Sequence, residues 1–241
     1  MALILHIETA TQVCSVALSS SGKVLGLKES DAKNSHSSIL TVFIDEMIKT
    51  AGVALSDIDA VAVSKGPGSY TGLRIGVAAA KGLCFALDKP LIAVSTLQAM
   101  GRGMRDTGCG IRSTGTDENN LPRLFCPMID ARRMEVFCAL FDKDGKEIRE
   151  TRAEIIDENS FSNYLEKNRI VFAGDGALKC RPLLDSHPNA VFAEDFQVSA
   201  KFMIAFSEEK YSQKKFEDLA YFEPYYLKDF IAGKPRVKGL K

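Results

Sequence analysis

The chain has 241 residues, 46% of them hydrophobic and 26% charged, proportions that predict an ordinary soluble globular protein with one or two packed cores. Lys+Arg and Asp+Glu both total 31, so no overall charge pulls the chain onto nucleic acid or another polyanion. Neither a stretch of roughly 18 apolar residues nor a basic leader with a cleavage site is present, and a cytoplasmic location with no membrane partner is expected.

Apolar alternation through Leu3–Ile7, Val13–Leu18 and Val24–Leu27, with Ser21-Gly22 as a turn, predicts a three-stranded meander. Residues 35–51 read as an amphipathic helix. Its apolar stripe of Ile39, Leu40, Phe43, Ile44, Met47, Ile48 and Ala51 is wider than one sheet requires, and His36 sits in its first turn. The run Ile58, Ala60, Val61, Ala62 and Val63 reads as a buried strand, and the glycine-broken turn GPGSYTG then feeds a helix over 69–86. On that helix Gly72, Gly76 and Ala80 fall on one ridge, while Leu73, Ile75, Val77 and Ala78 fill much of the remaining circumference. Two readings stay open for this pair of helices. A layered α/β protein can bury both within itself, or the glycine ridge and its flanks stay wet and a partner's helices cover them in a four-helix bundle.

A strand at 91–94 and a helix near 95–104 follow, and residues 101–123, with five glycines, predict a mobile surface loop joining two lobes. Residues 123–150 then repeat the opening design of strand, bend, strand, glycine turn and strand. Asp130 answers Glu8 at an offset of 122 residues, and Gly145 answers Gly22 at 123. A helix at 157–167, a strand at 169–173, a helix at 176–185, a strand at 190–192 and a long helix at 199–217 complete the second half. The plan is a first lobe over 1–100, joined by the C-terminal segment 218–241, and a second lobe over 101–217.

The three histidines, His6, His36 and His187, lie far apart without ligand spacing, so no metal site is expected. The Lys-Ser/Thr pair of a P-loop and the spacing of a dinucleotide fingerprint are absent. Glu8 and Asp130 could act through metal-bound water in phosphoryl transfer, although the turn after Glu8 lacks the glycine that lets phosphate approach. Arg132 and Arg133 could pair phosphate or an acidic neighbour, and Gly174-Asp175-Gly176 could pass under an adenosine or only make a strand–helix turn. The six cysteines include no C-x-x-C pair and are expected reduced, though Cys126 and Cys138 could face each other across a hairpin.

GPGSYTGLRIG with AAAKGL after it, PMIDARRMEVFCAL, AGDGA and EPYYLKDF resemble the TsaB (YeaZ) family over nearly the whole chain. The resemblance implies an α/β, duplicated actin-like, sugar-kinase and Hsp70 ATPase (ribonuclease H-like) two-lobe fold. It also implies a non-catalytic scaffold that pairs with a TsaD-like catalytic subunit and, with a TsaE-like ATPase, supports transfer of threonylcarbamoyl to N6 of the tRNA adenosine beside the anticodon. tRNA is then met through the complex, and a homodimer can form without the partner. Carried over by position, the pairing helices are Ser35–Ala51 and Ser69–Leu87, which gives an interface of His36, Ile39, Leu40, Phe43, Met47, Gly72, Leu73, Gly76, Val77 and Ala80. Gly76→Leu is accordingly expected to leave the chain folded and to block the complex. Glu8, Thr9, Asp130, Arg132, Gly174 and Gly176 mark a vestigial nucleotide site, with Glu8-Thr9-Ala10 standing where the family more often has Asp-Thr-Ser. No catalytic residue, metal or obligatory cofactor is implied, while ATP or ADP with magnesium, bound weakly or at the interface, stays open. The alternative is an active ATP-dependent phosphotransferase that uses Glu8 and Asp130. A basic tail of Lys228, Lys234, Arg236 and Lys238 could touch tRNA or stay solvated.

Overall fold

A computed structural model describes residues 2–31, 36–109 and 121–228. Two five-stranded sheets share one topology. The first contains β1 (Leu3–Glu8), β2 (Cys14–Ser20), β3 (Lys23–Ser30), β4 (Ala60–Gly66) and β5 (Leu91–Ser95) in the order β3-β2-β1-β4-β5. The second contains β6 (Arg123–Asp130), β7 (Glu135–Asp142), β8 (Glu147–Ile155), β9 (Arg169–Ala173) and β10 (Ala190–Ala193) in the order β10-β9-β6-β7-β8. In each the meander is antiparallel, and the two later strands add in parallel beside the first. Glu8 and Asp130 therefore end equivalent central strands. The architecture is the duplicated actin-like one.

Helices cover both faces of each sheet. α1 (His36–Ala51) and α2 (Tyr70–Leu87) lie on the outer face of the first sheet, around Leu5, Ile7, Val16, Leu18, Val61 and Val63. α4 (Ser162–Leu165) and α5 (Asp175–Leu184) cover the outer face of the second, around Cys126, Met128, Cys138, Leu140 and Phe172. The inner faces take crossed helices. α3 (Thr96–Asp106) follows β5 yet buries Leu97 and Met100 against Ile129, Phe137, Ala139 and Phe141 of the second sheet. α6 (Ile204–Ser212), with the 3-10 turn Ala200–Met203 before it, returns to the first sheet, where Met203 meets Ala2, Ile4, Ala60, Ala62, Ile92 and Val94.

These crossings change the expected outline. The cut expected after residue 100 falls inside α3, and residues 101–106, expected as loop, are helical because Gly101 and Gly103 pack against the rings of Phe141 and Phe202. Residues 110–120 of that loop and the tail beyond 228 lie outside the described residues. The helix expected over 199–217 divides into the 3-10 turn and α6, and ends before Lys214, whose φ is 54°. The helix expected over 157–167 shortens to Ser162–Leu165. Among the described residues no helix is long and apolar enough to cross a membrane.

The C-terminal segment runs back along the first lobe. Glu217 N–H donates to Leu91 O at 2.9 Å, Lys81 Nζ donates to Ala220 O and Phe222 O at 3.1 Å each, and Tyr225 N–H donates to Lys65 O at 2.7 Å.

Candidate functional site: the interlobe cleft and the outer helix pair

The strand ends that carry Glu8 and Asp130 frame an open cleft of about 1230 Å³. Asp130 lines it and Glu8 does not. The Glu8 side chain turns back into the first lobe, where Oε1 accepts from Ala10 N–H at 2.7 Å and from Ser64 Oγ–H at 2.8 Å. Oε2 is sealed without a partner. Burial pushes this carboxyl up to about 7, against the smaller opposing pull of its hydrogen bonds. Thr9 is likewise buried, and its Oγ1–H donates to Gly72 O at 2.8 Å. The first half of the expected nucleotide site is thus absorbed into packing.

On the opposite wall Asp130 pairs with Lys179, accepts from Arg132 N–H at 2.7 Å, and gives its own N–H to Asp175 Oδ1 at 3.0 Å. Burial, with Asp130 nearby, holds the Asp175 carboxyl above its usual range. Gly174 and Gly176 do not line the cleft. A Cβ on Gly174 would collide with Met128 O, and one on Gly176 would lie 2.9 Å from Ile129 C, so both glycines let α5 approach β6. Arg132 and Arg133 stand exposed at the cleft in left-handed conformations, φ 70° and 51°, without an ion-pair partner among the described residues. A magnesium-binding pair of carboxylates does not fit this arrangement, since one of the two acids is sealed away. Among the described residues no cluster of three His, Cys, Asp or Glu side chains could hold a metal ion.

The outer helices settle which side of α2 is wet. Gly72, Leu73, Gly76, Val77, Ala80 and Cys84 face inward. A Cβ at Gly72 would collide with the Thr9 carbonyl oxygen and one at Gly76 with Thr9 Oγ1, so the glycine ridge seats the helix on its own strand end. The expectation of a wet ridge is wrong for that reason, and Gly72, Leu73, Gly76, Val77 and Ala80 leave the list of residues a partner could touch. So do His36, Leu40 and Met47, which are buried. His36 Nε2–H donates to Thr11 O at 2.9 Å and ties the start of α1 to the loop after β1. Ile39 and Phe43 stay half exposed. The outward face instead presents Val42 on α1 with Ile75, Ala78, Gly82 and Phe85 on α2. Phe85 is 83% and Val42 48% exposed, and a Cβ on Gly82 would meet nothing within 4 Å.

Over residues 18–232 the chain matches the family model described as TsaD, tRNA N6-adenosine threonylcarbamoyltransferase. It is 31% identical over 237 residues to the tRNA threonylcarbamoyladenosine biosynthesis protein TsaB of Escherichia coli (strain K12), covering 96% of each chain. The chain belongs to the TsaB family. TsaB of Haemophilus influenzae is 29% identical over 241 residues, covering 96% of this chain and 95% of that protein. A solved structure titled YeaZ from Pseudomonas aeruginosa superposes with a TM-score of 0.74 at 24% identity, over 94% of this chain and 100% of that one, and agrees in fold.

Other features of this TsaB-family cleft lie beyond what spacing reveals. The Tyr70 and Tyr226 rings pack at 4.9 Å, and the Lys228–Glu135 ion pair brings the C-terminal segment onto the second lobe. The GPGSYTGLRIG and EPYYLKDF motifs marked both tyrosines without showing that they meet.

Proposed function

We infer that this chain serves tRNA threonylcarbamoyladenosine biosynthesis as a non-catalytic subunit, docking the outward faces of α1 and α2 on a TsaD-like enzyme that a TsaE-like ATPase attends. The observation that carries the reading is the exposed strip of Val42, Ile75, Ala78, Gly82 and Phe85, small at its centre and apolar at its ends, on two helices whose inner faces the chain already fills. Small residues let a second helix approach closely, and Phe85 gains most by leaving water. Because the chain matches a TsaD family model along most of its length, an enzyme of that fold offers an equivalent helix pair, and two related subunits can join about a near-twofold axis. The sealed Glu8 carboxylate supports a role without phosphoryl transfer.

The test is reconstitution of tRNA modification from purified TsaD-like and TsaE-like subunits, with and without this chain, using Gly82→Arg and Ala78→Arg variants. Modification that needs the chain, and loss of both co-purification and activity in variants that remain folded, supports the reading. Full activity in those variants, or ATP turnover by the chain alone, refutes it.

A further inference from the structure

Beneath α4 and α5, on the outer face of the second sheet, two thiols meet side by side. Cys126 on β6 and Cys138 on β7 lie on adjacent antiparallel strands, one pleat apart in a register that pairs Met128 with Cys138, and both are fully buried. The Cys126 thiol hydrogen-bonds to the Cys138 sulfur. The Cys138 S–H in turn points to Glu154 Oε2 at 3.6 Å, and Glu154 pairs with Arg149, whose guanidinium lies 4.7 Å from the centre of the Phe161 ring. Arg149 and Glu154 belong to β8, the edge strand of this sheet, and the Glu154 side chain is 25% exposed. One carboxylate therefore separates Cys138 from solvent. The other cysteines lack such a setting: burial raises Cys14, Cys84, Cys109, Cys126 and Cys180, whereas the hydrogen bond from Cys126, helped by Arg149 and Arg152, lowers Cys138 against its burial.

We propose that Cys126 and Cys138 are an oxidisable dithiol, in which Cys138 reacts with a peroxide and Cys126 resolves the product to an intramolecular disulfide between β6 and β7. Glu154 takes the Cys138 thiol proton. The thiolate attacks one peroxide oxygen, the O–O bond breaks, and Cys138 becomes a sulfenic acid while hydroxide leaves and is reprotonated. The Cys126 thiol then displaces the sulfenic hydroxyl, forming the S–S bond and releasing a second water. Two thiols are oxidised, one peroxide is reduced to two waters, and a small-molecule thiol reverses the link by exchange. The hairpin closed by this bond carries Asp130, Arg132 and Arg133 at its bend, so the oxidation state is joined directly to the cleft wall. The inference is independent of any partner or tRNA.

The full-length chain is exposed to hydrogen peroxide, quenched, denatured and alkylated, and its intact mass and peptide map are read. Loss of two of the six alkylatable thiols, a linked Cys126–Cys138 peptide and full recovery with dithiothreitol are expected. Cys126→Ser should stop at a Cys138 sulfenic acid that dimedone traps. Glu154→Gln should slow oxidation by about tenfold for each unit that the Cys138 thiol rises, with thermal unfolding close to that of the unaltered chain. Six alkylatable thiols after treatment, a link to Cys180 instead, or first oxidation at the half-exposed Cys109 would overturn the proposal.

Discussion

The Thr9 hydroxyl donates to the Gly72 carbonyl at 2.8 Å, while the Thr9 carbonyl occupies the space a Gly72 side chain would need. One residue thus both ties down the first turn of α2 and excludes a Cβ from it. Gly72→Ala and Gly76→Ala are each expected to destabilise the chain by about 1–3 kcal/mol through overpacking against fixed backbone and a bonded hydroxyl. Gly76→Leu should fail to accumulate as folded protein. Urea midpoints check this, and an unaltered midpoint for Gly76→Ala would mean that α2 does not sit on Thr9.

Ten residues beyond Gly72 on the same helix, Gly82 has open space around its Cα. There a side chain costs nothing in packing and restrains the unfolded chain. Gly82→Ala should therefore stabilise by about 0.5–1 kcal/mol, the ordinary helix-propensity gain. Thermal unfolding of the isolated chain reads this directly. A loss of stability would show that Gly82 faces packed structure after all.

The contrast between these glycines shows where the sequence stops being legible. Periodicity placed Gly72, Gly76 and Ala80 on one ridge and identified α2 as a helix with two apolar sides. A close-packing glycine looks the same whether its neighbour is the chain's own strand or a partner, because the pattern specifies a face and not its occupant. The duplication was readable, since Glu8 and Asp130 end equivalent strands and their spacing survives in the chain. Their divergence was not, because the Glu8 side chain turns toward Ser64, 56 positions away, and nothing local to Glu8 signals that choice. The crossing of α3 and α6 between lobes was hidden for a similar reason. Leu97 and Met100 announce a buried helix but not which sheet buries it.

Lys81 carries the clamp on the C-terminal segment through its bonds to Ala220 O and Phe222 O. Lys81→Met keeps the aliphatic stem and removes the donors. Each lost bond is worth about 1 kcal/mol, so the segment around Phe216–Tyr226 should open more often while both lobes stay folded. Chymotrypsin cleavage there is expected to rise by roughly fivefold per kcal/mol lost when opening precedes cutting, with little change in Tm. Equal cleavage rates would assign the hold to Tyr225 N–H and the Glu217 bridge instead.

His6 and Glu8 lie two positions apart on β1, both fully buried, and their titrations oppose each other. Burial lowers His6 to about 4, so the folded chain keeps a neutral imidazole that the unfolded chain protonates below its usual 6.5. Between these values the unfolded state binds more protons, and stability rises with pH by about 3 kcal/mol in total. Burial raises Glu8 to about 7 from 4.5. Its stabilising contribution is complete below pH 4.5, because the folded state holds a proton there as firmly as needed, and is lost as pH climbs through 7, again by about 3 kcal/mol. Over pH 4.5 to 6.5 the two slopes nearly cancel, and the part of the profile due to these groups is flat. Glu8→Gln keeps the acceptor for Ala10 and Ser64 but removes the second titration, so that variant should gain stability steadily from pH 5 to 6.5. His6→Gln should instead lose stability from pH 5 to 7. Urea midpoints at half-unit steps would decide it, and parallel profiles for the two variants would rule out the opposition of these buried groups.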